Sequence, residues 1–239
     1  MADFTPNAPI PLSSLVTRIV AANAGPMTGP GTNTYLVGRT DVTVIDPGPA
    51  DASHLDAILA AAPNGVARIL LTHFHADHIG GILMGHQVEG VATLLERCSC
   101  PVHVHADEVP WITRTSGLTA SQLRTHDGGD VVKVGDIEIT LVHTPGHTPG
   151  SQCFFVDGRL VSGDTLFLDG CGRTDFPGSD PAAMYDSLQT LASMPEGTVV
   201  FPGHRYSAPS SATIDAIKQQ NYVYRPQNKQ QWLTMFGHD

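Results

Sequence analysis

Basic residues are scarce in this chain: 13 Lys and Arg stand against 23 Asp and Glu, for a formal net charge of −10 and a pI near 5.5. Nowhere do the cations cluster, so a surface for nucleic acid or for acidic membranes is not expected, since phosphate binding needs basic patches. No run approaches the roughly 20 apolar residues of a spanning helix. Met1 to Pro11 is proline-rich and lacks the basic start and apolar core of a secretory signal. Cysteine is equally sparse. Cys98, Cys100, Cys153 and Cys171 are the four present, and 239 residues can build a core without disulfides, so a reduced, cytoplasmic protein is expected. Cys98-Ser99-Cys100 has no second CxC or CxxC to partner it and reads as a pair of small, half-buried thiols. Cys171 has no base beside it in sequence and is not read as a nucleophile. The hydrophobic content of 41% is ordinary, while 24 glycines and 18 prolines suit short strands joined by many loops in one domain.

Histidine is not scarce, and its placement carries the chemistry. Thr72-His73-Phe74-His75-Ala76-Asp77-His78 puts three imidazoles and a carboxylate into six residues, directly after the apolar run Ile69-Leu70-Leu71. A strand that buries such a run ends where side chains become this polar, and a loop at a strand end can aim several ligands at one point. Imidazole nitrogen and carboxylate oxygen suit zinc, and manganese and iron also accept them. Alternate residues of an extended segment share a face, so His73 and His75 can hold one ion while Asp77 and His78 point to a neighbouring position.

Three further segments each follow a strand-like run and set a donor beside glycine. They are His147 in Thr144-Pro145-Gly146-His147-Thr148-Pro149-Gly150, Asp164 in Ser162-Gly163-Asp164-Thr165, and His204 in Phe201-Pro202-Gly203-His204. Glycine there lets backbone pass close to an ion. HFHADH, TPGHTPG, SGDTLF and PGH, in this order, resemble the metallo-β-lactamase superfamily over roughly Leu15 to Tyr206. Within it, Gly163 to Phe167 followed by Gly170-Cys171-Gly172-Arg173-Thr174-Asp175-Phe176 is similar to glyoxalase II-like hydrolases and to persulfide dioxygenases.

The resemblance implies an α/β fold, a four-layer αββα sandwich of two mixed β-sheets flanked by helices. It also implies two divalent ions, zinc first, with iron or manganese as substitutes: His73, His75 and His147 for one, Asp77, His78 and His204 for the other, and Asp164 bridging. A carboxylate has two oxygens and can span two cations. Asp77 and Asp164 are thereby the expected catalytic carboxylates. A water between two cations loses its proton near neutral pH, which gives a hydroxide to attack a carbonyl, and a thiolate leaves without a strong acid. The expected reaction is hydrolysis of a small acyl thioester of the hydroxyacyl type, with Arg173 and Tyr206 as substrate-binding candidates. An alternative is a mononuclear-iron persulfide dioxygenase that uses His73, His147 and Asp164, and a third option is lactonase or weak β-lactamase activity. Only 35 residues follow His204, fewer than the extra glutathione-binding helical domain of glyoxalase II would need. Neither nucleic acid nor membrane is expected as a partner, and a homo-oligomer is left open.

The chain reads as one domain over 1–239, with 85–130 as a pocket-forming insertion and 207–239 as a short helical tail. Strands are expected at 15–21, 34–37, 42–46, 67–72, 102–105, 131–134, 137–142, 152–156, 160–162 and 198–201. Gly135-Asp136 and Asp157-Gly158 read as hairpin turns. Helices are expected after a Ser53/Asp56 cap, at Ile82-Leu83-Met84, at 88–97 and 106–115, after Asp180-Pro181, and from Ser210 or Ser211 to Gln220. His86, His103, His105 and His126 read as surface or sheet-face positions. Trp111 suits a pocket cover or a core aromatic equally.

Overall fold

A computed structural model describes residues 4–49, 51–83 and 85–237. Met1 to Asp3, part of the proline-rich start, and Met84 lie outside the described residues. In chain order the strands are β1 (Ile10–Pro11), β2 (Val16–Val20), β3 (Asn33–Val37), β4 (Val42–Ile45), β5 (Val66–Leu70), β6 (Gly81–Leu83), β7 (His86–Val88), β8 (Val102–His105), β9 (Leu123–His126), β10 (Val131–Val134), β11 (Ile137–His143), β12 (Gln152–Val156), β13 (Arg159–Gly163), β14 (Val199–Pro202) and β15 (Ala212–Thr213). The helices are α1 (Ala52–Ala60), α2 (Ala76–Ile79), α3 (Val91–Arg97), α4 (Val109–Thr115), α5 (Pro181–Ala192), α6 (Ile214–Gln220) and α7 (Lys229–Phe236).

Strand periodicity explains the layering. Successive side chains point to opposite faces, so an apolar run can serve two cores. In β5, Leu70 turns into the space between the sheets while Ile69 meets the helices; in β13 and β14, Val161 and Phe201 face inward while Leu160 and Val200 face outward. One sheet has seven strands in the order β1-β2-β3-β4-β5-β8-β9, and the other six, β10 to β15 in sequence. Both are mixed, with β4, β5, β8 and β9 parallel in the first and β13 parallel to β14 in the second. Leu55 and Ile58 of α1, Val91 and Leu94 of α3 and Ile112 of α4 cover the first sheet. Met184, Leu188 and Leu191 of α5, Ile214 and Ile217 of α6 and Trp232 of α7 cover the second. The expected αββα arrangement is the one observed, and no helix among the described residues is long and apolar enough to cross a membrane.

Several local expectations are corrected. Helix α1 is capped by Asp51, whose carboxylate accepts the His54 amide at 3.0 Å, and not by Ser53, which instead donates its hydroxyl to Asp51. Gly81 to Leu83 form strand β6, paired with β7, because Gly80 and Gly81 adopt φ of 74° and 105° and turn the chain out of the helical region. Helix α3 begins at Val91, after Gly90. Thr213, not Ser210 or Ser211, caps α6 by accepting the Ala216 amide. Helix α7 falls within the tail expected to be helical over 207–239; its anchor is the buried Trp232, whose indole donates to Pro181 O at 2.8 Å. The stretch 85–130 supplies β8 and the unforeseen β9, both strands of the larger sheet.

Candidate metal centre

The sequence-predicted donors gather where strands of both sheets end. Leu70 closes β5 and leads through Leu71 and Thr72 into His73; β11 leads to His147, β13 to Asp164 and β14 to His204. The two rims are stitched by backbone. Gln152 N donates to Thr72 O at 3.0 Å, Asn33 N to Gly203 O at 2.8 Å, and the buried Tyr35 hydroxyl to Pro202 O at 2.7 Å.

Two groups result. His73, His75 and His147 stand nearly perpendicular to one another, with ring centroids 4.6 to 4.9 Å apart, and His75 Nδ1 lies 2.9 Å from His147 Nε2. Asp77, His78 and His204 form the other group: His204 Nε2 is 3.1 Å from Asp77 Oδ2 and 3.0 Å from His78 Nε2. Asp164 reaches both. Its Oδ1 is 3.2 Å from His78 Nε2, and its Oδ2 is 3.4 Å from His204 Nε2 and 3.8 Å from His147 Nε2. The donor atoms of each triad lie within 4.8 Å of one another, a spacing that suits one cation per triad.

Outer hydrogen bonds decide which nitrogen faces inward. His147 Nδ1 donates to Arg173 O at 2.8 Å and His78 Nδ1 to Asp46 Oδ2 at 2.8 Å, so Nε2 of each ring faces the centre. Thr72 Oγ1 donates to Asp46 Oδ2 at 2.6 Å and thus accepts from His73 Nδ1 at 2.9 Å. His73 Nε2 is then a buried lone pair with no partner in the protein, which is what a ligand awaiting a cation should present. Glycine is required at two approaches. A Cβ on Gly172 would meet the Asp164 carbonyl and His147 Cγ, and one on Gly203 would meet Asp164 Oδ1 and His78 Cε1.

The electrostatics differ between the halves. Burial, then the neighbouring imidazoles, hold His73 well below the ordinary histidine value and push His75 down to about 3. In the other half burial acts the same way, but Asp164 and Asp77 override it, drawing His204 up to about 9 and His78 well above its usual value. Burial would raise Asp77, yet His78 and His204 hold it down to about 2. Positive charge is therefore favoured between Asp77 and Asp164, whether a proton or a cation carries it, and cation binding there must compete with protons.

The two substrate-binding candidates lie at the rim. The Arg173 guanidinium is engaged by Asp175 and lies 4.4 Å over the Phe176 ring, which packs edge-on against His75. Tyr206 stands 5.7 Å from the His204 ring, edge-on to Phe167, and its hydroxyl donates to Met27 O at 2.5 Å. Trp111 stacks on Phe74 at 4.8 Å, beneath the first donor loop. The Cys171 thiol is pushed up to about 12 by burial, in keeping with its reading as no nucleophile.

Sequence reasoning passed over Asp46, read only as the last residue of the strand at 42–46, and Glu108, which no motif marks. Glu108 is buried. Its Oε1 accepts from Thr148 Oγ1 at 2.7 Å and Gly150 N at 2.8 Å, so it grips the loop that carries His147. Burial raises its carboxyl from 4.5 to about 7 against these donors. Between those values the folded chain holds a proton that the unfolded chain has released, so stability falls as pH rises through the window, by on the order of 3 kcal/mol. Glu108→Gln is expected to flatten this part of the stability profile. Urea midpoints of both proteins from pH 4.5 to 7.5 check it, and parallel profiles would refute it.

The layered fold and the strand-end cluster define a class, and sequence comparison agrees: residues 27–204 match the model of the metallo-beta-lactamase superfamily. The chain belongs to that superfamily. A hydroxyacylglutathione hydrolase from Aeromonas hydrophila is 35% identical over 182 residues, which are 75% of this chain and 63% of that protein. The chain spans less than two thirds of the length of the first such relatives. Among solved structures, ETHE1 from Myxococcus xanthus superposes with a TM-score of 0.71 at 28% identity, over 86% of this chain and 84% of that one. TTHA1623 in a di-iron-bound form gives 0.65 at 31% identity, over 86% of this chain and all of that one.

Proposed function

We propose that this protein is a metal-dependent hydrolase of small acyl thioesters, of the hydroxyacylglutathione type. The observation that carries the reading is the pair of donor triads with Asp164 within reach of both, its His73 Nε2 left unpartnered inside the protein. Relatives named hydroxyacylglutathione hydrolase and the di-iron-bound neighbour support it. His73, His75 and His147 would hold one divalent ion and Asp77, His78 and His204 the other, with Asp164 between them. Zinc is the expected metal, and iron or manganese suits the same donors. When bound, such a pair supplies Lewis acidity, bringing the pKa of water toward neutrality and stabilising negative charge on a carbonyl oxygen.

The chain's own residues do the positioning. Asp46, Thr72 and the Arg173 carbonyl fix the tautomers of His78, His73 and His147. Phe176 shields His75 and His147 on one side, and Phe167 and Tyr206 border His204 on the other. Arg173 is the cation placed beside this mouth, and release from Asp175 would free it for a substrate carboxylate. A thiolate leaving group needs no acid from the protein, because thiol pKa values lie near 8.5.

The test is thiol release from S-lactoylglutathione, set against simple thioesters and lactones, with metal content measured on the same sample. Two metal equivalents and a rate on the hydroxyacyl thioester roughly tenfold or more above that on lactones are expected. The rival persulfide dioxygenase would use His73, His147 and Asp164 alone. It predicts one iron, oxygen uptake on glutathione persulfide, and an iron count unchanged in Asp77→Ala.

A further inference from the structure

Away from the centre, Cys98 and Cys100 lie on the helix side of the larger sheet, packed against the core that it shares with α1, α3 and α4. Helix α3 ends at Arg97, where Cys98 turns extended with φ −143° and ψ 138°, and Cys100 comes back beside it. Their Sγ atoms are 3.9 Å apart. In sequence the pair reads as two small thiols; in the fold each sulfur is the other's neighbour. Neither is sealed from solvent, since both residues are half-buried and Ser99 between them is exposed. The other two cysteines lack this setting: Cys153 is fully buried, and burial pushes the thiols of Cys153 and Cys171 up to about 11 and about 12.

Cys98 is the member better placed to react. As a thiol it donates to Leu94 O at 3.3 Å, and once ionised it can accept from Cys100 instead. That hydrogen bond from Cys100, helped by the Arg97 cation, lowers the Cys98 value against burial, while the same contact and burial raise Cys100. Thiolate character and access together make a cysteine reactive.

We propose that Cys98 and Cys100 form a redox-active dithiol, a modification site separate from the metal centre, which exchanges with low-molecular-weight disulfides and closes into a reversible intrachain bridge. The Cys98 thiolate attacks one sulfur of a disulfide such as glutathione disulfide. That S–S bond breaks, a mixed disulfide forms on Cys98, and one glutathione leaves as thiolate and takes up a proton equivalent to the one Cys98 lost. Cys100 then gives up its proton and attacks the Cys98 sulfur, so the Cys98–Cys100 bond forms while the second glutathione leaves and is protonated. The protein is oxidised by two electrons and the small disulfide is reduced to two thiols. A bridge across one intervening residue removes little chain entropy from the unfolded state, so the fold adds little to its stability. The same pool of small thiols can therefore reopen it.

The test incubates the full chain as purified at increasing ratios of glutathione disulfide to glutathione, traps free thiols with N-ethylmaleimide in acidic denaturant, and maps the peptides by mass. In wild type, Cys98 and Cys100 are expected to become protected together, roughly ten times faster or more than Cys153 and Cys171. Their peptide should carry an internal disulfide and no glutathione, and added glutathione should return both thiols. Cys100→Ser is expected to stop at the Cys98 mixed disulfide, and Cys98→Ser to react roughly tenfold more slowly than wild type. Mapping of the wild type decides the matter even where a variant misfolds. Both thiols left free across the whole range, glutathione adducts that do not resolve, or disulfide-linked dimers in place of the internal bridge would overturn the site. Thioester turnover does not enter this test, so the dithiol stands or falls independently of the proposed reaction.

Discussion

Replacing Asp164 with alanine is expected to empty the centre of at least one metal equivalent and to lower thiol release by on the order of a thousandfold, the effect of removing about 4 kcal/mol of transition-state stabilisation. The reason lies in its position. Asp164 follows β13, close to His78 and His204 of one triad and to His147 of the other, so its two oxygens stand between the groups. It is also one of two charges that make the second half welcoming to cations. Without it His78 and His204 lose the largest influence opposing their burial, and mutual repulsion of two ions goes unscreened. Asp164→Asn keeps the shape and removes the charge, so it is expected to fail in the same way, which would separate charge from packing. Circular dichroism should show both variants folded. Full metal occupancy and turnover in either one would mean that Asp164 does not bridge, and the two-ion reading would fall with it.

The donors themselves were legible in the sequence because their chemistry is local: imidazole and carboxylate at the end of an apolar run, glycine beside them. The layered fold was legible for a related reason, since runs such as Ile69-Leu70-Leu71 and Val199-Val200-Phe201 are apolar on both faces, as strands covered on two sides must be. What stayed hidden depends on contacts between distant segments. Glu108 looks like any helix-start acid until Thr148 and Gly150 arrive from 40 residues on. The tail over 207–239 reads as helical, but the bounds of α7, Lys229–Phe236, rest on the docking of Trp232 against Pro181, which arrives from another segment. Ile82-Leu83 has the apolar content of either a helix or a strand, and the positive φ of Gly80 and Gly81, which decides between them, is a backbone property that composition does not display.

Asp46 belongs to the same hidden group, and changing it to asparagine is expected to lower metal affinity about 10- to 100-fold and stability by about 1–3 kcal/mol. The residue sits at φ 49°, a left-handed conformation that aspartate tolerates better than most, and this turn brings its carboxylate beneath the end of β5. There Oδ1 accepts from Thr72 N at 2.8 Å, while Oδ2 accepts from Thr72 Oγ1 at 2.6 Å and His78 Nδ1 at 2.8 Å. Three donors converge on two acceptor oxygens, and through Thr72 the arrangement extends to His73. One side chain therefore sets the tautomer of a donor in each triad. Asparagine offers one acceptor oxygen and an NH2. With the NH2 toward Thr72 N, a buried backbone donor loses its partner. With the NH2 toward His78, the imidazole must accept at Nδ1 and carry its proton on Nε2, pointed at the place where a cation would bind. Either orientation costs something, and the second disables a ligand without touching the first coordination sphere. Metal titration of the chelator-stripped variant, alongside its urea midpoint, distinguishes the two: loss of stability with unchanged affinity indicates the first orientation, and loss of affinity the second. Wild-type values in both measurements would show that the Asp46 carboxylate does not control these histidines.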